Sequence, residues 1–498
     1  MNRLFYILII FSIVIIFISN PFMRYPYDMW AHLIAIDNPY DYTTIPKARE
    51  LWHIIWREIF NIIGISQSDI LFRAKVIHIT QTLISFGSIY IFSLVVARNI
   101  YINIPKLHLK YIAIYSTLIW FTIFATFSMY YHHTWIMWYS ISYQVTLPLF
   151  WYITALSLIL YLEDRPLSTR LFYTFQILIL SLFIIKVHSM EYIYYLFFIL
   201  ILSLIFFRKT IDILKKYYYA IVPMLLTIIY FFKSYQAEDT RFLDYLYSGQ
   251  FVEIYNLILY EGNLIVQGLN RANSAINELM YLILIVTIIS FIPLIKNRAR
   301  DINIRVYIFL ILTSLFIVIP LFSLSAGIYS LLTKINVIHR VYYSSSIFLL
   351  LPISVYYISS QFKTKTLYIF HILIIISLLS TVVYSKYISN SHNYYKNIQS
   401  LMQSIEGSKV QFNLSKDDIL TIKRDLDKYK QNSPNALFCG RGDVLMVLKY
   451  IYKEDTYWRG RRANISKEEF SKFCKINNIK KCIFFETPKS LPIYRPYW

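Results

Sequence analysis

Apolar runs long enough to cross a bilayer recur along this chain from residue 4 to about residue 384. In hydrocarbon such a run has to be a helix, because lipid offers the backbone no water to bond. Spans fall near 4–20, 76–97, 111–130, 144–162, 170–187, 190–207, 217–233, 279–295, 306–324, 341–360 and 367–384. The expected fold is a polytopic α-helical membrane protein with about 11 transmembrane helices. Only 15% of the residues are charged, against about 25% in soluble proteins. Rules for soluble domains therefore apply only to the last quarter of the chain.

The loops give this bundle a direction. Segments 98–110, 163–170, 208–216, 296–305 and 361–366 hold 15 Lys and Arg between them, whereas 131–143 and 188–190 hold none. The positive-inside rule puts the first set in the cytoplasm. The N-terminus is then cytoplasmic, and loops 21–75 and 234–278 and the tail from residue 385 are outside. The setting expected is a bacterial inner membrane with the tail in the periplasm. The same bias accounts for the formal net charge of +21. No nucleic-acid reader motif stands out, so no nucleic-acid partner is expected. Residues 1–20 lack a small-x-small cleavage site and read as a retained helix rather than a signal peptide.

Three regions follow: a transmembrane domain over 1–384, a connector over 385–432 and a small extracytoplasmic α/β domain over 433–498. In the first outer loop, "IPKARELWHIIWREIFNIIGI" spaces Leu51, Ile54, Ile55, Ile59 and Ile62 as a helix stripe, with Trp52 and Trp56 on its flank. That is the pattern of an amphipathic helix lying in the membrane interface. In the tail, 435–439 and 480–487 read as strands and 443–452 and 466–478 as helices. All three cysteines, Cys439, Cys474 and Cys482, lie there. An extracytoplasmic tail would join two of them and leave one thiol, with the pair left open.

Ionisable residues near lipid are costly, and on the outer side they mark candidate chemistry. "RYPYDMWAHL" carries Arg24, Asp28 and His32. Asp28 and His32, four apart, share one face of a helix begun after Pro26, and a carboxylate there can serve as a general base. Asp28 can equally cap such a helix. "MYYHHTWIMWYSISYQ" offers His132, His133, Trp135 and Tyr139, as rings to stack on a sugar or as an interfacial belt. "KVHSMEYIYY" keeps Lys186, His188 and Glu191 in the tightest outer hairpin. There Lys186 can hold a phosphate and His188 or Glu191 can move a proton; alternatively Lys186 and Glu191 snorkel and pair. Arg340, at the outer start of a span, has a guanidinium suited to phosphate.

A first span followed by an aromatic-rich outer loop opening on "RYPYDMWAHL", then an interfacial helix, resembles the GT-C glycosyltransferases. The tail "ALFCGRGDVLMVLKYIY…ISKEEFSKFCKINNIKKCIFFE" is similar to the small α/β domain that ends several of them. The resemblance implies a membrane enzyme, inverting, that moves a sugar from a polyprenyl-phosphate donor to a glycan, lipid or protein acceptor. It implies Asp28 as the catalytic Asp of the first loop, the candidate base. The second acid of some branches is replaced by Met29. From the residues themselves, Asp28 with His32 can also hold a divalent cation, Mg or Mn, while the Met29 replacement removes the second acid a metal would draw on. Beside Asp28, the residues themselves put His32 and Glu191 in catalysis. They put Lys186, Arg340 and His188 at the donor phosphate, and Arg24, His132, His133, Trp135 and Tyr139 at sugar and acceptor. The rival readings are an O-antigen-type polymerase or ligase, a transporter, and a non-catalytic scaffold. A transporter would show helices broken by Gly or Pro near mid-membrane.

Overall fold

The computed structural model describes residues 50–66, 70–120, 143–216, 225–230, 244–272, 302–332, 344–360, 365–387, 416–440 and 467–485, with short gaps and a few further single positions. Along these the chain forms α1 (Glu50–Ile62), α2 (Ile70–Ile100), α3 (Lys106–Ile119), α4 (Tyr143–Leu162), α5 (Leu167–His188), α6 (Met190–Ile205) and α7 (Phe207–Lys216). There follow α8 (Phe251–Ala272), α9 (Ile304–Ser314), α10 (Ser323–Leu332), α11 (Ile347–Ser360) and α12 (Thr366–Tyr387). The tail holds α13 (Lys416–Asn432), β1 (Leu437–Gly440), α14 (Lys467–Ile476) and β2 (Cys482–Phe485). The chain divides into two compact units. One comprises Met1–Phe17, Thr82–Ile136 and Tyr143–Gln399; the other comprises Ile18–Gln81, Met137–Ser142 and Ser400–Trp498.

Among the described residues, Lys75–Ile100, Val145–Leu162 and Leu167–His188 are long and apolar enough to cross a membrane, and Met190–Ile205 with Phe207–Lys215 makes a fourth if the bent pair is one span. The protein is an integral membrane protein. Spans expected over 76–97, 144–162, 170–187, 190–207, 341–360 and 367–384 each coincide with a helix, and the first half of 111–130 does so as α3. The spans 4–20, 217–233 and 279–295 lie largely or wholly outside the described residues. The expected span 306–324 is different: α9 stops at Ser314, and a separate helix, α10, begins at Ser323.

The first unit is held by rings. Phe92 of α2, Phe150 and Trp151 of α4, Phe198 of α6 and Phe348 of α11 are all fully buried. Ring centroids lie 4.6 Å apart for Phe92 and Trp151, 5.2 Å for Trp151 and Phe348, and 5.1 Å for Phe150 and Phe198. Around this cluster α4 packs on α5 and α6, α9 on α6 and α11, and α11 on α3 and α12. Polar side chains in these helices turn back on their own backbone: Thr154 donates to the Phe150 carbonyl at 2.7 Å and Ser157 to that of Ile153 at 2.9 Å. At the basic end, Glu163 after α4 joins Arg98 of α2 and Arg165.

Elsewhere in this unit α8 and α10 approach backbone to backbone. A Cβ on Gly262 would lie 1.7 Å from the Ser323 carbonyl oxygen, and one on Gly327 would lie 1.9 Å from that of Ile258. Small residues are what allow helices in lipid to come this close.

In the second unit, α1 buries a different face from the one its isoleucines suggest. Trp52, Trp56 and Phe60 are buried, whereas Ile54 and Ile62 are exposed. The indole of Trp52 donates to Gln81 Oε1 at 2.9 Å, and the Arg73 guanidinium lies 4.6 Å from the centre of the Phe60 ring. The rings win the inward face because they bury more area and an indole N–H needs a partner there. In the tail, β1 and β2 pair in parallel, with Leu437 opposite Cys482 and Gly440 opposite Phe485. A parallel pair needs a crossover rather than a hairpin, and α14 supplies part of it. Cys474 of α14 is bonded to Cys482 of β2. Cys439 remains a free thiol, buried with Phe470 and Cys474, and burial pushes it up to about 12.

Two outcomes are expected. Gly262→Ala forces the α8–α10 contact apart and costs about 1–3 kcal/mol, read as a lowered Tm in detergent, whereas Gly87→Ala, with nothing within 4 Å of its Cβ, does not lower it. At pH 8, iodoacetamide leaves Cys439 unmodified in the folded protein and alkylates it once the chain is denatured; equal rates would mean the thiol is not shielded.

Candidate functional site

α5 ends at His188 and α6 begins at Met190, so Ser189 alone joins them. Ser189 keeps near-helical backbone angles (φ −64°, ψ −13°), so the two helices meet with one residue between them. It brings the last turn of one helix against the first turn of the next. His188 Nδ1 and Glu191 Oε2 are 2.5 Å apart, and both side chains are buried, 9% and 2% exposed. Thr146, near the start of α4, donates its hydroxyl to the same Oε2 at 3.2 Å. One carboxylate oxygen is thus reached from two helices besides its own.

The helix ends favour this arrangement. A carboxylate in the first turn of α6 meets the positive end of that helix's dipole. A histidine in the last turn of α5 meets the negative end of the other. Both charges, when present, sit where the backbone stabilises them.

Hydroxyls continue the polar patch along α6. Tyr192 OH lies 2.7 Å from Thr227 Oγ1, and Tyr194 OH is in hydrogen-bond contact with Tyr329 OH from α10. Lys186, two residues before His188, is exposed, and its Nζ stands 5.2 Å from the Tyr230 ring centre. Pairing of Lys186 with Glu191, one of the two readings of this hairpin, is therefore not what occurs. Across the Ser189 turn Glu191 meets His188, three residues away, rather than Lys186, five away.

Of the remaining residues singled out in sequence, Arg24, Asp28, His32, His132, His133, Trp135, Tyr139 and Arg340 lie outside the described residues. Thr146, Thr227, Tyr192, Tyr194 and Tyr329 were not singled out. Their one signal is a hydroxyl within an apolar run, which buried backbone bonding explains equally well. Among the described residues no three His, Cys, Asp or Glu side chains gather as a metal-binding group. The facing atoms of His188 and Glu191 bond each other, so they do not fit a cation between them.

No family model matches the sequence, and no curated protein matches it. Among solved structures, the chain is similar to the crystal structure of ArnT from Cupriavidus metallidurans bound to undecaprenyl phosphate. Identity is 10%, the TM-score is 0.46, and the match covers 97% of this chain and 89% of that one. A likeness at that level transfers no residue role to this chain.

The buried pair has a measurable weight. Removing one partner of a buried pair leaves the other uncompensated, at about 3–5 kcal/mol. Glu191→Ala is expected to lower Tm accordingly, and the double variant His188→Ala with Glu191→Ala to cost clearly less than the sum of the two single changes. Strict additivity in thermal unfolding would mean the two groups do not act as a pair.

Proposed function

We propose that the protein is a membrane glycosyltransferase of the GT-C kind, which moves a sugar from a polyprenyl-phosphate donor to an acceptor at the extracytoplasmic membrane face. The observation that carries the reading is the buried His188–Glu191 pair at one end of a membrane hairpin. Ionisable groups buried at such a place are costly and are kept for chemistry. The resemblance of the first outer loop supports the same reading. The Cys474–Cys482 bond supports an oxidising side for the tail, as the positive-inside bias of the loops does.

The step needs three things. A base takes the proton of an acceptor hydroxyl as its oxygen attacks the anomeric carbon. The bond from that carbon to the phosphate oxygen breaks, and the polyprenyl phosphate leaves with the bonding electrons. Cations meet the charge that develops on the leaving phosphate. Asp28 is the proposed base, with His32 beside it. Glu191 holds the His188 imidazole by Nδ1, which would set Nε2 to exchange a proton at the phosphate. Lys186 and Arg340 are the proposed cations, and Arg24, His132, His133, Trp135 and Tyr139 the proposed lining for sugar and acceptor. A divalent cation, if used, would have to draw on residues other than the His188–Glu191 pair.

One observation favours a second reading. The interruption between α9 and α10 is the kind of broken helix a transporter uses.

The deciding assay gives wild type, Asp28→Asn and Glu191→Gln a panel of radiolabelled polyprenyl-phosphate sugars and candidate acceptors in nanodiscs, with and without EDTA. Labelled product is expected from wild type, with loss of about 10²–10⁴-fold in each variant if it carries proton transfer. Unchanged turnover by Glu191→Gln removes the pair from the mechanism. No turnover by folded wild type, together with movement of a labelled lipid between leaflets, establishes the transporter instead.

A further inference from the structure

At the far end of α6 from the His188–Glu191 pair, the chain turns sharply. α6 has 16 residues, a length of about 24 Å, so it nearly crosses a hydrocarbon core of about 30 Å. At Phe206 the backbone leaves the helical region (φ −108°, ψ 38°), and α7 sets off at 103° to α6. The bend is pinned. Phe206 N–H still bonds the Leu202 carbonyl, and Thr210 Oγ1 donates to the carbonyls of Ser203 and Phe206, both at 3.2 Å.

α7 reads "FRKTIDILKK". Phe207, Ile211 and Leu214 recur at i, i+4 and i+7 and share one face. Arg208, Asp212 and Lys215 recur in the same way about a quarter turn round the helix, and Lys209 and Lys216 fall opposite the apolar face. Phe207 is 61% exposed and Leu214 is 45% exposed, so the apolar face is not covered by the bundle. Arg208, Lys209 and Lys215 make no ion pair among the described residues. Four basic residues bar α7 from re-entering the core. A helix at right angles to its span, with exposed Phe207 and Leu214 on one side and basic residues on the others, fits the membrane surface.

We propose that α7 lies in the interface and binds anionic phospholipid head groups of the leaflet where α6 ends. Phe207 and Leu214 would sit between acyl chains, and the cations would meet the phosphates. The occupant is a lipid rather than an acidic protein because α7 continues directly from a span and its apolar face needs hydrocarbon.

The full chain, purified in detergent, is equilibrated with equimolar phosphatidylglycerol and phosphatidylcholine, separated by gel filtration, and its retained lipids are counted by mass spectrometry. Each surface cation contributes about fivefold to attraction for anionic lipid. Wild type is expected to retain phosphatidylglycerol at least about tenfold over phosphatidylcholine. R208Q/K209Q/K215Q/K216Q is expected to lose that preference and R208K/K209R/K215R/K216R to keep it, which separates lost charge from lost folding. The proposal is overturned by a wild type without preference or by an unchanged preference in the Gln variant. It is equally overturned if K106Q/K110Q, at the start of α3, loses as much.

Discussion

Hydrocarbon gives the backbone nothing to bond, and the membrane unit is organised around that constraint. Every described span is a helix, and several hydroxyls within the helices turn back on their own backbone. Ser116, Thr117, Thr154, Ser157, Thr313 and Ser314 each donate to the carbonyl four residues back. Between helices, where apolar side chains gain nothing over lipid, shape must supply the contact. Two devices do so. Large rings from four helices meet around Trp151, and glycines let α8 and α10 touch through their backbones.

Against that background, charge inside the bundle is the exception that calls for a cause. His188 and Glu191 are tolerated because a one-residue turn puts them on two helix ends of opposite polarity, within 2.5 Å of each other. Thr146 then completes the carboxylate's bonding from a third helix. The geometry depends on α6 starting at once after α5. An ordinary loop at this turn would separate the pair and expose both groups to water.

The two ends of α6 thus carry opposite chemistry. One end buries an acid and a base together. The other turns at Phe206 into a helix whose Arg208, Lys209 and Lys215 make no ion pair among the described residues. A single helix joins the buried His188–Glu191 pair to the basic, bent-away α7.

Much of this was legible in the chain. Apolar length, a local property, marks the helices at 76–97, 144–162, 170–187 and 190–207 within a few residues. The hairpin with its three ionisable groups stands out for the same reason. Tertiary structure alone decided which groups pair. Glu191 chose His188 over Lys186, Cys474 chose Cys482 over Cys439, and α1 turned Trp52 and Trp56 inward rather than its isoleucines. Thr146 and Tyr329 reach α6 from 45 and 135 residues away. Periodicity and hydropathy are averages over neighbours along the chain, so they carry membrane placement well. A hydrogen bond or a ring contact depends on which distant face arrives within a few ångströms, and that is set only when the helices pack.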